Sequence, residues 1–277
     1  MKRIASWLLA GCVSALAWAQ MPAAAQPLTV DEIIVKNAAA RGGVDAWRKV
    51  HTMIWMGHVE SANAPTPNAP FMLALRRPNS TRFEITAMNQ RIVRVFDGKE
   101  GWKIRPSSGG APDVQPYAPA EVRYARDEQV IDGPLLDHVA KGIAVSLDGM
   151  DAIEGKDAYR LAVTLPSGAH RHVWVDAASF LDVRYDREAP GLAGAPVKIE
   201  VTYRDYRDVD GVQVPFAIES GVAGAAKKDR LVLERVSLNP PLEDAMFVKP
   251  LVPGRRASVA VGAGGMPAPR SAFAPAQ

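Results

Sequence analysis

The sequence predicts a mainly β protein of the α+β class, built as one antiparallel domain, and three observations lead there. From Thr52 onward the apolar pattern has a period of two, in short β-rich runs spaced roughly 8 to 12 residues apart as in an all-β meander. The runs are divided by chain-reversing sequences, Arg77-Pro78-Asn79-Ser80, Met88-Asn89 and Asp97-Gly98-Lys99-Glu100, so sequence neighbours are expected to pair antiparallel. Helical signals are confined to the N-terminal region and one insert midway.

The first 25 residues are expected to be a secretory leader. Met1-Lys2-Arg3 supplies the positive start, and Ile4 to Ala19 is apolar apart from Ser6, Cys12 and Ser14. Small-residue exits follow at Ala17-Trp18-Ala19 and Ala23-Ala24-Ala25, the form of a signal peptide. Both cleavage sites fit, and we take the second. The run is shorter than the roughly 20 apolar residues that span a bilayer, so no transmembrane segment is expected in the mature chain. Leu9-Ala10-Gly11-Cys12 also spells a lipobox, which would place a lipid on Cys12. The very short apolar segment before Cys12 and the apolar Val13, Leu16 and Trp18 after it weigh against that alternative. Cleavage removes the only cysteine, so the core alone must stabilise the domain.

Thr29-Val30-Asp31-Glu32 has the form of a capping box ahead of a helix over 30–41, and 44–50 adds a short second helix carrying Trp47 and Val50. Strands are expected over 52–60, 69–77, 80–87, 90–97 and 100–105. Residues 106–120 hold four prolines and the pair Gly109-Gly110, and are read as a loop. Helical character returns over 120–129 and 134–141, the latter with Leu135, Leu136 and Val139 as its apolar face. A second β block follows over 143–154, 157–165, 169–176, 180–187, 197–206, 212–220 and 228–238. Its alternation is clean where Tyr159, Leu161, Val163 and Leu165 face away from Arg160, Ala162 and Thr164. The domain is expected to span 26–252, and 253–277, rich in Ala, Pro and Gly, to be a disordered tail.

Two strands carry large apolar residues at both parities: Met53 to Val59, and Phe71 to Leu75. Burying such a side chain gains roughly 1.5 to 3 kcal/mol, so both faces are expected to be buried. Helices cover the second face, or that face lines a cavity.

Composition excludes several classes. Hydrophobic residues make up 48% and charged residues 23%, which is globular and not disordered. Losing Lys2 and Arg3 lowers the formal charge from +3 to +1, and no Lys/Arg run exceeds two residues, which gives little basis for binding nucleic acid or an anionic membrane. Gly-x-Ser-x-Gly, P-loop, dinucleotide and His-Glu-x-x-His patterns are all missing from the sequence, so no enzyme activity and no cofactor are expected. His170-Arg171-His172 puts two imidazoles on one strand face. Zinc requires three or four ligands, and the third would have to come from elsewhere, with Asp176 or Asp182 as examples. A metal-dependent enzyme centred on His170 and His172 is thus an alternative, and an exposed polar strand face the simpler account. Asp205, Asp208 and Asp210 with Gly211 have the wrong spacing for a calcium loop and are read as a hairpin turn.

An ordered set of segments resembles the LolA-like outer-membrane lipoprotein-sorting proteins over residues 28–250. The set comprises Ala38-Ala39-Ala40-Arg41-Gly42-Gly43 with Asp45-Ala46-Trp47, Phe96-Asp97-Gly98 with Gly101-Trp102 and Pro106, Asp132-Gly133-Pro134-Leu135-Leu136-Asp137, Gly155-Lys156-Asp157-Ala158-Tyr159, and Asp205-Tyr206-Arg207-Asp208-Val209-Asp210-Gly211-Val212 with Val214-Pro215. The resemblance implies a curled antiparallel sheet forming an incomplete barrel, closed by an N-terminal helix and a central helical plug over a hydrophobic cavity. It also implies a periplasmic protein that carries lipid acyl chains or lipoproteins, and a monomer is expected. The arginine and proline that carriers of this group use around the lid cannot be placed on positions of this chain. A sensor or scaffold domain contacting an envelope protein is the alternative within the same fold. Independently, a half-barrel of twisted strands leaves more apolar wall than its own side chains fill. The expected lining is Trp55, Phe71, Leu73, Phe83, Ile85, Phe96, Trp102, Leu135 and Leu136, with plain core packing the competing account for each.

Overall fold

Thr29 starts the first helix as its sequence requires. Its Oγ1 accepts from the Glu32 backbone N–H at 3.3 Å, and the Glu32 carboxylate accepts from the Thr29 N–H at 2.8 Å, the reciprocal pair of a capping box. The structure, a computed structural model, describes residues 27–61, 66–105, 112–128, 131–191 and 195–251. The expected leader, Cys12 and the tail 253–277 lie outside the described residues. Helix α1 (Val30–Ala40) ends at Gly42, whose φ of 103° suits glycine, and a Cβ there would lie 2.1 Å from the Gly211 carbonyl. Helix α2 (Val44–Arg48) follows and buries Trp47.

The chain then forms β1 (Thr52–Glu60), β2 (Asn68–Arg76), β3 (Ser80–Ala87), β4 (Gln90–Phe96), β5 (Gly101–Arg105) and β6 (Asp113–Pro116). Helix α3 (Pro119–Arg126) and a run of turns over 131–142 cross to the far edge. There β7 (Ala144–Ile153), β8 (Lys156–Thr164), β9 (His170–Asp176), β10 (Asp182–Pro190), β11 (Pro196–Val209), β12 (Val212–Val222) and β13 (Asp229–Leu238) meander back. All pair antiparallel in one sheet of order β6-β5-β4-β3-β2-β1-β13-β12-β11-β10-β9-β8-β7. Two meanders, β1 to β6 and β7 to β13, therefore join at one non-local seam, β1 against β13. Gly57 sits at the bulge in that seam, where a Cβ would lie 1.9 Å from the Val232 carbonyl.

The sheet is open and curled. Glu121 of α3 pairs with Arg94 of β4 and Lys103 of β5, while α3 also packs on β10. In the strand order β4 and β10 are seven spacings apart, about 33 Å if flat. An eight-residue helix is only about 12 Å long, so only a curl brings both strands to it. The result is the half-barrel expected of the fold class, with α1 and the α3 region on its open side.

Three local expectations are corrected. Residues 113–116, read as loop, form the edge strand β6; its prolines fall outside the strand interior or at its last residue, where proline is tolerated. Residues 134–141 are turns instead of a helix, because Gly133, Asp137 and Gly142 take positive φ values of 70°, 53° and 67°. Leu135 and Leu136 are both buried there, whereas Val139 is 78% exposed. Finally, the doubly apolar strands are not fully buried. Met53 and Leu75 pair on the inner face, and Ala74 of the outer face is buried. A 3-10 turn, Asp244–Phe247, packs against β3, with Phe247 beneath the Arg76 guanidinium. Met56, on the same outer face, is 44% exposed.

Candidate functional site

Cross-strand partners share a face, so the register defines the concave wall. Trp55 pairs with Leu73, and Leu73 with Phe83. On the other side of the seam Leu231 pairs with Ile218, Ile218 with Tyr203, and Val201 with Tyr185. Between this wall and the α3 region lies a cavity of about 410 Å³, within the roughly 300 to 1,000 Å³ typical of small-molecule sites. Apolar lining comes from Trp55, Leu73, Leu75, Val201, Ile218 and Leu231.

Of the residues expected to line a cavity, Trp55 and Leu73 do so. Phe71, Phe83 and Ile85 share their face by register, and Phe71 lies against Phe83 with ring centroids 5.9 Å apart. Phe96 stands in the same row as Leu75 through Thr81, where it is buried and stacks on Tyr117. Trp102 pairs with Val95, and Val95 with Arg82, which places it on the outer face, away from the cavity. Leu136 packs in the core with Phe71 and Trp47, while Leu135 packs beneath α1 with Ile33 and Val163.

The structure adds polar lining that hydrophobicity did not single out. Asp182 accepts from the Asn37 amide at 2.9 Å and faces Arg41 at 3.3 Å. Its backbone carbonyl accepts from the Tyr206 hydroxyl at 2.9 Å. Arg41 also donates to the Asp132 carbonyl and covers the Trp47 ring. Tyr185, Tyr203 and Tyr206 form an aromatic row, with centroids 5.7 Å and 6.5 Å apart. Arg171 and Arg187 face the carboxylate of Glu128 at 3.6 Å and 3.7 Å.

Burial controls the protonation of this wall. It pushes the Tyr185 hydroxyl up to about 12, with the Glu128 charge adding to the effect. Tyr203 and Tyr206 are raised well above the ordinary tyrosine range, again by burial first and then by neighbouring phenols and Asp182. Burial likewise raises Asp182 against the opposing pull of Arg41 and Asn37. At neutral pH the tyrosines are therefore protonated hydroxyls in a mostly apolar chamber.

The histidines lie elsewhere. His172 pairs with Ala162 and His170 with Thr164, on the outer face, while Arg171 between them points inward. His172 Nδ1 meets Asp186 at 3.0 Å and His170 Nδ1 meets Thr164 Oγ1 at 3.1 Å. The suggested third ligands are committed: Asp176 accepts from Ser179, and Asp182 from Asn37. Among the described residues no group of three or more His, Cys, Asp or Glu side chains could hold a metal ion. Asp210 and Gly211 form the two-residue β11–β12 hairpin with φ of 50° and 87°, and Asp208 accepts from the Gly211 N–H, as the turn reading expects. Among the described residues no helix is long and apolar enough to cross a membrane.

No protein-family model and no curated protein matches the chain. Among solved structures it is similar to the LolA superfamily protein from Nitrosomonas europaea, at 14% identity and a TM-score of 0.52, over 80% of this chain and 99% of that one. A DUF1329 family protein from Desulfovibrio piger aligns at 13% identity and a TM-score of 0.48, over 77% and 97%. A domain classed with outer membrane lipoprotein-sorting proteins, from Vibrio parahaemolyticus, aligns at 15% and 0.44, over 78% and 94%. Identities this low speak to the fold alone, and the first likeness carries the point. The chain has a LolA-like fold.

Proposed function

We propose that the chain is a periplasmic binding or carrier protein for lipid acyl chains or lipoproteins, acting by reversible binding and not by catalysis. The observation that carries this is the cavity of about 410 Å³ between an apolar concave wall and the α3 region. Trp55, Leu73, Ile218 and Leu231 offer it a surface that water solvates poorly. An acyl chain removes that surface from water as it leaves water itself, which gives uptake a driving force of about 25 cal/mol per Å² of apolar area buried. The leader expected at residues 1–25 supplies the route to the periplasm.

Native mass spectrometry of protein purified from cells without detergent tests this, with lipid extraction in parallel. The expected result is a copurifying lipid that Ile218→Trp removes by filling the cavity. Because the indole enters space that is already empty, unfolding should shift by less than the roughly 1 to 3 kcal/mol of overpacking a filled core. Protein that stays empty in every lipid mixture offered would overturn the proposal.

A further inference from the structure

The concave face of the second meander carries charge where a core strand would carry none. Arg171 shares inward parity with Val173, and Arg187 with Tyr185, and Val173 pairs with Tyr185 across β9 and β10. Both arginines line the cavity, and Arg171 is only 7% exposed. Among the described residues the Arg171 guanidinium has one charged contact, Glu128 at 3.6 Å, and donates no hydrogen bond. The same carboxylate lies 3.7 Å from Arg187. Both separations exceed the roughly 2.7 to 2.9 Å of a charge-assisted hydrogen bond. One carboxylate thus serves two guanidiniums, and the local charge balance is positive. Burying an incompletely paired guanidinium is costly, and a second anion would relieve that cost.

We propose that Arg171 and Arg187 are the headgroup site of this cavity and bind the carboxylate or phosphate of a single-chain anionic amphiphile in place of Glu128. The chain then lies against Trp55, Leu73 and Ile218, which line the same space. The Tyr185 hydroxyl beside Arg187 supplies a further donor to the headgroup. A volume of about 410 Å³ sits low in the range of ligand pockets, which favours one chain over several. This inference rests on the lipid-binding proposal above and adds to it a ligand class.

The test measures affinities of the mature protein for hexadecanoate, hexadecyl phosphate and hexadecanol, which share one chain and differ in headgroup. Both anions are expected to bind at least about tenfold more tightly than the alcohol, the tighter of the two identifying the natural headgroup chemistry. Arg171→Gln with Arg187→Gln should bring the anions to the level of the alcohol measured on the same variant. Glu128→Gln, which keeps both arginines, should strengthen anion binding several-fold and guards against a double variant that fails to fold. Equal affinity for the three probes, or an anion preference that survives the double variant, overturns the headgroup site while leaving lipid binding intact. Failure of all three to bind removes the lipid proposal and this one together.

Discussion

The two meanders present different chemistry to one cavity. The first, β1 to β6, offers Trp55, Leu73 and Leu75, and behind them Phe71, Phe83 and Ile85. The second, β7 to β13, mixes Val201, Ile218 and Leu231 with Arg171, Asp182, Arg187 and the three tyrosines. An apolar wall attracts any chain of fitting width, because the hydrophobic effect has no direction. A wall bearing oriented charges and hydroxyls adds direction. Under the proposal above, both meanders supply the apolar wall but only the second carries the charges that would orient a headgroup, a division that variants can take apart.

The largest expected effect comes from Asp132, which fastens the helical side to the first meander. Its carboxylate accepts from Arg77 at 2.8 Å and Lys141 at 2.7 Å, and its backbone carbonyl accepts from Arg41. Asp132→Ala leaves Arg77 and Lys141 without this counter-charge and should cost roughly 3 to 5 kcal/mol of unfolding free energy. Burial raises the pKa of Asp182, the buried acid of the second meander, against Arg41 and Asn37, and asparagine keeps its shape and an acceptor for the Asn37 amide, so Asp182→Asn should cost less. Paired denaturant titrations compare the two, and an equal or reversed ranking would break the contrast.

Next is the seam between the halves. Gly57→Ala places a methyl 1.9 Å from the Val232 carbonyl, which is backbone and cannot swing aside. The strands must part locally, at a cost of up to roughly 3 kcal/mol on the scale of overpacking. Met56→Ala, at the neighbouring exposed position, should change stability by under about 1 kcal/mol. Thermal melts of the pair show whether the join is as tight as the register implies.

The tyrosines sharpen the contrast by pH. A phenol whose folded pKa is raised contributes stability that is complete below its unfolded value near 10 and is lost as pH rises through the folded value. For Tyr185 that window runs from 10 to about 12, a loss of roughly 2 to 3 kcal/mol across it. Tyr203 and Tyr206 move in the same direction. Tyrosinate absorbance should show none of the three ionising near pH 10 while the protein stays folded. Ionisation in the folded state near pH 10 would mean that the second meander's wall is open to water.

Much of the fold was legible because its signals are local. The Thr29 capping box, the turns at Met88-Asn89 and Asp210-Gly211, and the period-two runs each depend on a few adjacent residues. What was not legible depended on partners far along the chain. Trp102 was expected in the cavity, yet its face is fixed by pairing with Val95. The turn at Asp137 is held by two hydrogen bonds from Arg48, a residue of α2. In the site, Trp55 and Leu73 could be chosen as large apolar residues of a strand, whereas Arg171 hid between two histidines that drew attention to the outer face. Its signal was parity: it shares a face with Val173 and Val175, and a charge in that row is out of place in a core.

The smallest effect separates the two acids by which α3 and the residue run just beyond it reach the meanders. Glu121 lies toward the first, accepting from Lys103 at 2.7 Å and facing Arg94 at 3.2 Å, whereas Glu128 lies toward the second. Burial works to raise the Glu121 pKa, but Lys103, the Ala118 N–H and Arg94 together hold it below the usual glutamate value. A depressed carboxylate contributes stability above its unfolded pKa, near 4.5, that is lost as pH falls through the folded value. Glu121→Gln should therefore lower stability near neutral pH by about 1 kcal/mol, since the amide oxygen keeps an acceptor for Lys103 or the Ala118 N–H and the pair with the more exposed Arg94 is screened by solvent. It should also flatten the acid limb of the stability curve, as urea midpoints taken across that range would show. Headgroup affinity should not change, because Glu121 touches neither arginine of the cavity. A change as large as that of Glu128→Gln would mean that α3 transmits both contacts alike, and the division between the meanders would not hold.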